Sequence, residues 1–233
     1  MKKKLFCLPY AGGSAMVYNT WKKHINHSIE LYPVELAGRG RRFSEPLYGS
    51  FEDAVEDIYR FVIKILDDTE YAIFGHSMGS LLAVELLHKL KQSEYRAPLH
   101  AFFSGRYPPH IKKGEDIYTL PDEEFTNEIF RLGGTPKELM ESEELLGLFI
   151  PILKSDYRIL DGYYYNHGSG KFDCSITVFS GKEDPDIDQG DLSQWQAYTD
   201  KTCRIHEFQG GHFFINDHYK SIVEIINSTL MCS

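Results

Sequence analysis

The chain has 233 residues, 42% hydrophobic and 14% aromatic, enough for one domain to bury a sizeable core. Its formal net charge of -9 argues against a general binder of nucleic acid or anionic membranes, which would carry a basic excess. The four cysteines (Cys7, Cys174, Cys203, Cys232) show no C-x-x-C and no metal-ligand spacing, so free thiols in a reducing cytosol are expected.

Lys2-Lys3-Lys4 followed by Leu5-Phe6-Cys7-Leu8 imitates a signal peptide, but the apolar run stops at Pro9 and is too short for an h-region. A first strand, Leu5 to Leu8, behind a solvated lysine cluster is the better reading, and no stretch approaches membrane-spanning length. The strand runs into Pro9-Tyr10-Ala11-Gly12-Gly13-Ser14. A Gly-Gly loop lets backbone approach a substrate with no Cβ in the way, which makes Tyr10 and Ala11 candidate N–H donors to an oxyanion; an ordinary turn is the competing reading. Trp21 and Ile25 suggest a helix within Ser14 to His27, and Ile29 to Leu36 reads as a strand. The basic loop Ala37-Gly38-Arg39-Gly40-Arg41-Arg42 is no P-loop. It is either simply solvated or an anion contact at the mouth of a site.

Phe51, Val55, Ile58, Phe61, Val62, Ile65 and Leu66 recur at helical spacing, with Glu52 and Asp53 in the first turn. Next come an apolar strand, Tyr71 to Phe74, then Gly75-His76-Ser77-Met78-Gly79, then a largely apolar helix, Ser80 to Leu90. Strand, tight G-x-S-x-G turn and helix form a nucleophile elbow, with Ser77 above the sheet and the Met78 N–H facing a developing oxyanion. The competing reading is a glycine-rich turn without chemistry. Leu99 to Phe103 is another strand. Residues of about 107–170 then break the rhythm with helical patterns around Phe125 to Leu132 and Leu139 to Leu160, an insertion expected to cover the site as a lid. Ser175 to Ser180 and Cys203 to Phe208 read as strands, Trp195 to Tyr198 as helical, and Asp217 to Leu230 as the final helix.

A serine hydroxyl needs a base, and the base needs a carboxylate to orient it. Here Asp184 follows one strand and His212, in a Gly-Gly-His turn, follows the next, in the chain order of α/β hydrolases. Glu183, Asp186 and Asp188 compete with Asp184, which is preferred for its place before Pro185; His76 is expected beside its strand. The predicted architecture is an α/β-hydrolase fold: one domain over 1–233, a mostly parallel central sheet, flanking helices and a helical lid.

Nearly end to end, the chain resembles the stand-alone (type II) thioesterases of nonribosomal peptide and polyketide synthesis. The resemblance rests on Leu8-Pro9-Tyr10-Ala11-Gly12-Gly13-Ser14, Gly38-Arg39-Gly40-Arg41-Arg42 with Glu45-Pro46, and Gly75-His76-Ser77-Met78-Gly79. It continues through Gly133-Gly134-Thr135-Pro136, Pro151 to Tyr157, Gly181 to Pro185 and Gly211-His212-Phe213-Phe214; Ala37 stands where the family usually has proline. The resemblance implies hydrolysis of acyl, aminoacyl or peptidyl thioesters from the phosphopantetheine arm of carrier proteins. It implies Ser77, Asp184 and His212 as catalytic residues and Met78 and Ala11 as oxyanion donors. It further implies action in the cytoplasm with no metal or bound cofactor; from the charge and the lack of a spanning stretch no nucleic-acid or membrane partner is expected, and a monomer is expected. Arg39, Arg41 and Arg42 become candidate contacts to the carrier or its phosphate. Two alternatives stay open: an esterase of free small esters, and a non-catalytic hydrolase-fold protein that binds a synthetase.

Overall fold

A computed structural model describes residues 2–112, 117–133, 142–168 and 170–232. The short apolar runs form six strands: β1 (Lys3–Leu8), β2 (Ile29–Pro33), β3 (Tyr71–His76), β4 (His100–Ser104), β5 (Ser175–Gly181) and β6 (Cys203–Phe208). They lie in the order β2-β1-β3-β4-β5-β6, and every pairing is parallel. Runs such as Leu5-Phe6-Cys7-Leu8 are apolar throughout because the sheet is covered on both faces. Phe6, Leu8 and Ile73 pack against helices α1 (Phe51–Ile65) and α2 (Met78–Gln92), while Leu5, Cys7, Ala72 and Phe74 face the opposite layer. Ser50 caps α1 by accepting from the Asp53 N–H at 3.1 Å, as the acidic first turn leads one to expect.

Local differences have local causes. The segment from Ser14 is a 3-10 helix over Ala15–Lys23, and β2 ends at Pro33, three residues short of the predicted end. The lysines before the first strand are not simply solvated: Lys3 reaches the Leu230 carbonyl, and Lys4, 7% exposed, pairs with Asp67 and the Ile65 carbonyl. All four cysteines are unpaired.

Between β4 and β5 the elements among the described residues are helical: a 3-10 turn (Ile117–Thr119), α3 (Asp122–Leu132) and α4 (Glu143–Asp161). They form a small core of their own from Phe125, Ile129, Ile150 and Leu153. Gly134-Thr135-Pro136 and Leu139 lie outside the described residues. After β6 come α5 (Phe214–Asp217) and α6 (Tyr219–Met231). Among the described residues, no helix is long and apolar enough to cross a membrane.

Because all strands are parallel, the residues that follow β1, β3, β5 and β6 emerge at one edge of the sheet. Those are the loop Pro9 to Gly13, Ser77, Lys182 to Asp184 and Gln209 to His212.

Candidate active site

Ser77 joins β3 to α2 with φ 53° and ψ -116°, a conformation that costs a non-glycine residue on the order of 1–3 kcal/mol. The strain is held by neighbours: the Ser77 N–H donates to the Ser104 carbonyl at 2.8 Å, and the Ser80 N–H donates to the Ser77 carbonyl at 2.9 Å. Close approach demands the flanking glycines. A Cβ on Gly75 would collide with the Gly79 carbonyl, and one on Gly79 with the Leu8 carbonyl.

His212 stands between Ser77 and Asp184. Its Nδ1 lies 2.7 Å from Asp184 Oδ2 and its Nε2 lies 2.9 Å from Ser77 Oγ. An ionised carboxylate can only accept, so Nδ1 carries the proton and the Nε2 lone pair faces the serine hydroxyl. Asp184 and His212 are 5% and 6% exposed, so water competes little for these bonds. Asp184 Oδ1 accepts the Asp186 N–H at 3.0 Å, which fixes the carboxylate plane. The competing acids are placed otherwise: Glu183 accepts the Gly210 N–H, and Asp188 caps the 3-10 helix Gln189–Tyr198 through the Gly190 N–H. Asp184, Asp186 and His212 offer ligand atoms within 4.8 Å of one another, the one such group among the described residues. Both nitrogens of His212 already face partners, Nδ1 towards Asp184 and Nε2 towards Ser77.

His76 packs beside the strand as expected, its Nδ1 2.9 Å from Ser104 Oγ and its ring 5.4 Å from that of His212. Burial, reinforced by His212, holds its pKa well below the usual histidine range. It therefore remains neutral beside the base.

The loop after β1 can be accounted for bond by bond. The Gly12 N–H donates to Asp156 Oδ2 at 2.7 Å and the Gly13 N–H to the Tyr10 carbonyl at 2.9 Å. Among the described residues the Ala11 N–H has no acceptor, and Ala11 lines the same cleft as Ser77 and His212. Met78 is the first residue of α2, where an N–H has no acceptor within the helix. The cleft measures about 1260 Å³, and the insertion lines much of it through Ile111, Ile117, Leu120, Tyr157 and Leu160.

The three loop arginines part company. Arg39, its side chain 3% exposed, grips Asp156 of α4 with both terminal nitrogens, at 2.5 and 2.7 Å, so it is structural and offers nothing to a partner. Arg42 is held by Glu45 at 2.5 Å and Asp57 at 2.6 Å, and its charge is likewise engaged inside the chain. Arg41 is exposed, and its side chain has no partner among the described residues. Asp156 was not among the predicted site residues. Its signal was a carboxylate on the helix face that also carries Phe149 and Leu153, at i, i+4 and i+7.

The thioesterase domain family matches residues 3–230. A linear gramicidin dehydrogenase, LgrE, of Brevibacillus parabrevis is 37% identical over 230 residues, spanning 97% of this chain and 87% of that protein. The crystal structure of ClbQ from the colibactin NRPS/PKS pathway superposes with a TM-score of 0.95 at 38% identity, covering 100% of this chain and 98% of that one. BorB, a type II thioesterase from the borrelidin biosynthetic cluster, superposes with a TM-score of 0.90 at 29% identity, over 99% and 93% of the two chains.

Proposed function

This chain belongs to the thioesterase domain family, and on that premise we propose that it is a stand-alone type II thioesterase, clearing acyl, aminoacyl or peptidyl groups from carrier proteins of a peptide or polyketide synthetase. The observation that carries the reading is His212 standing within hydrogen-bond reach of both Ser77 Oγ and Asp184 at the cleft wall. His212 Nε2 takes the Ser77 proton as Oγ attacks the thioester carbonyl. The N–H groups of Met78 and Ala11 receive the charge on the carbonyl oxygen. The pantetheine thiol leaves with the proton from His212. Water, deprotonated by the same nitrogen, then releases the acid from the acyl-serine. Asp184 keeps the imidazole in the required tautomer and stabilises it when charged. No step calls for a metal or cofactor.

A pantetheine arm brings a thioester on a narrow chain, and the cleft is large enough for its acyl end together with part of that chain. With Arg39 and Arg42 engaged internally, Arg41 is the member of the loop left to meet an acidic carrier. The test is turnover of a panel of acyl-loaded carrier proteins followed by intact-protein mass spectrometry, beside the matching acyl-N-acetylcysteamine and a free acyl ester. Preference for the carrier-bound thioester is expected. Faster turnover of free esters would make the chain an esterase, and no hydrolysis of any substrate would make it a non-catalytic binder.

A further inference from the structure

Helix α4 belongs to the insertion, yet it seats directly on the loop after β1. Gly12 has φ +75°, and a Cβ placed there would lie 2.6 Å from Leu153 and 2.9 Å from Phe149, so the helix and the loop touch with no space between them. One turn along the same face, Asp156 accepts the Gly12 N–H at 2.7 Å. Arg39 holds that carboxylate in place with both terminal nitrogens and also donates to the Gly13 carbonyl at 3.4 Å and the Ala37 carbonyl at 3.3 Å. Asp156 and Arg39 are 1% and 3% exposed, a burial that a charged pair tolerates only with its hydrogen bonds satisfied. The residue immediately before Gly12 is Ala11, whose N–H has no partner among the described residues and which lines the cleft beside Ser77.

We propose that Asp156 is the positioning residue of the oxyanion site: from α4 it anchors Gly12, and so aims the Ala11 N–H at the charge that develops on the thioester oxygen, while Arg39 locks Asp156 in that pose. The Gly12 nitrogen shares a rigid peptide plane with the Ala11 Cα and carbonyl, so the Asp156 bond fixes the Cα from which the Ala11 N–H projects, and the Gly13 N–H, bonded to the Tyr10 carbonyl at 2.9 Å, restrains the neighbouring plane that carries that N–H. Electrostatic stabilisation depends on donors already aimed before charge appears, and a shift of about 1 Å in a positioned group can cost on the order of 10²-fold. The geometry also makes acyl binding and oxyanion geometry interdependent. Tyr157 and Leu160, on the same helix as Asp156, line the cleft, so an acyl group that presses α4 outward withdraws Asp156 from Gly12.

The proposal rests on the serine mechanism above, and the test keeps the two apart. Asp156→Asn and the paired apolar variant Asp156→Leu with Arg39→Met are compared with wild type and with Ser77→Ala on an acyl-N-acetylcysteamine thioester, which bypasses carrier docking. Each is also titrated with two ligands: a trifluoromethyl ketone, to which Ser77 Oγ adds while its proton passes to His212, and the matching amide, which carries no developing charge. For Asp156→Asn we expect kcat to fall about 10- to 100-fold with KM nearly unchanged, the ketone to weaken in proportion, and the amide to bind as before. The paired variant leaves no buried charge unpaired, so it should still unfold cooperatively and show the same selective loss. Wild-type ketone affinity in the folded paired variant, which unlike Asp156→Asn has no side-chain acceptor left for the Gly12 N–H, or equal weakening of ketone and amide, would overturn the assignment. Hydrolysis by Ser77→Ala at the wild-type rate would instead overturn the serine mechanism, whatever the Asp156 variants do.

Discussion

Ser77 sits directly beyond its strand and Asp184 and His212 a few residues beyond theirs, whereas the loop carrying Ala11 is held from the insertion by side chains. The first group inherits its geometry from backbone: β3, β5 and β6 are parallel neighbours through β4, and their register sets where each following residue emerges. The second depends on a buried Arg39–Asp156 pair joining residues 117 positions apart, and on Leu153 and Phe149 pressed against Gly12. The difference teaches where tolerance lies. A change at the sheet edge cannot relax without moving strands, while a change at the loop is met by the ends of flexible side chains.

The sharpest break is at the nucleophile. Ser77→Ala and His212→Ala should fold normally and lose on the order of 10³–10⁶ in kcat, and the double variant should be little worse than either, because the relay acts as a unit. Steady-state kinetics on an acyl-carrier protein checks this; additive losses would mean that the two residues act separately.

Two glycine variants set the halves of the comparison against each other. In Gly79→Ala the new methyl meets the Leu8 and Pro9 carbonyls, backbone that cannot yield, so destabilisation of at least about 1–3 kcal/mol is expected. In Gly12→Ala it meets the tips of Leu153 and Phe149 at a left-handed φ, so the chain should fold, at a cost of about 1–2 kcal/mol, with turnover impaired. Urea midpoints beside kcat distinguish them, and a Gly79→Ala protein as stable as Gly12→Ala would erase the contrast.

Much of the sheet-edge half was legible in the sequence, because it is written in local signals. The G-x-S-x-G turn lies between an apolar strand and an apolar helix, and Asp184 and His212 each follow a β-prone run by a few residues. The other half was legible only in part. Arg39, Arg41 and Arg42 read as one basic loop, either solvated or an anion contact, because charge along a chain does not reveal partners that folding brings close. Asp156 lies 117 residues from Arg39, and Asp57 lies 15 from Arg42. The insertion was recognisable by its lack of strand patterns, but the seat of α4 on Gly12 is a tertiary contact that no periodicity encodes. The 3-10 helix at Ala15–Lys23 has the same origin: Trp21 and Tyr18 are buried against Phe74, and packing outweighs the α-helical spacing of Trp21 and Ile25.

A smaller effect appears where the insertion returns to the body. His88 of α2 stacks on His167 with ring centroids 3.9 Å apart, and His167 lies 2.6 Å from Glu85, which also accepts from the Tyr163 hydroxyl. Burial, then the neighbouring His167 and Lys91, lowers the His88 pKa to about 4. The unfolded chain therefore binds more protons than the folded one between pH 6.5 and 4. The stability due to neutral His88 is complete above pH 6.5 and is lost as pH falls through that window. His100, also lowered to about 4, adds in the same direction. His88→Gln should flatten the dependence of the urea midpoint on pH between 6.5 and 4 without abolishing it. An unchanged slope would remove His88 from the acid response.

The smallest effect is expected at Arg41. Arg41→Ala should raise KM for acyl-carrier protein a few-fold, steeply dependent on salt, and leave acyl-N-acetylcysteamine turnover unchanged. Equal kinetics on both substrates would take the loop out of docking altogether.

The central claim is that the thioester is cleaved through an acyl group on Ser77. Mixing enzyme with excess acyl-carrier protein, quenching in acid within a turnover and mapping peptides by mass spectrometry tests it directly. The account predicts a transient acyl adduct on the peptide containing Ser77 that forms and decays at rates consistent with kcat, and none in Ser77→Ala. Full turnover with no adduct at any time, together with undiminished hydrolysis by Ser77→Ala, would contradict it.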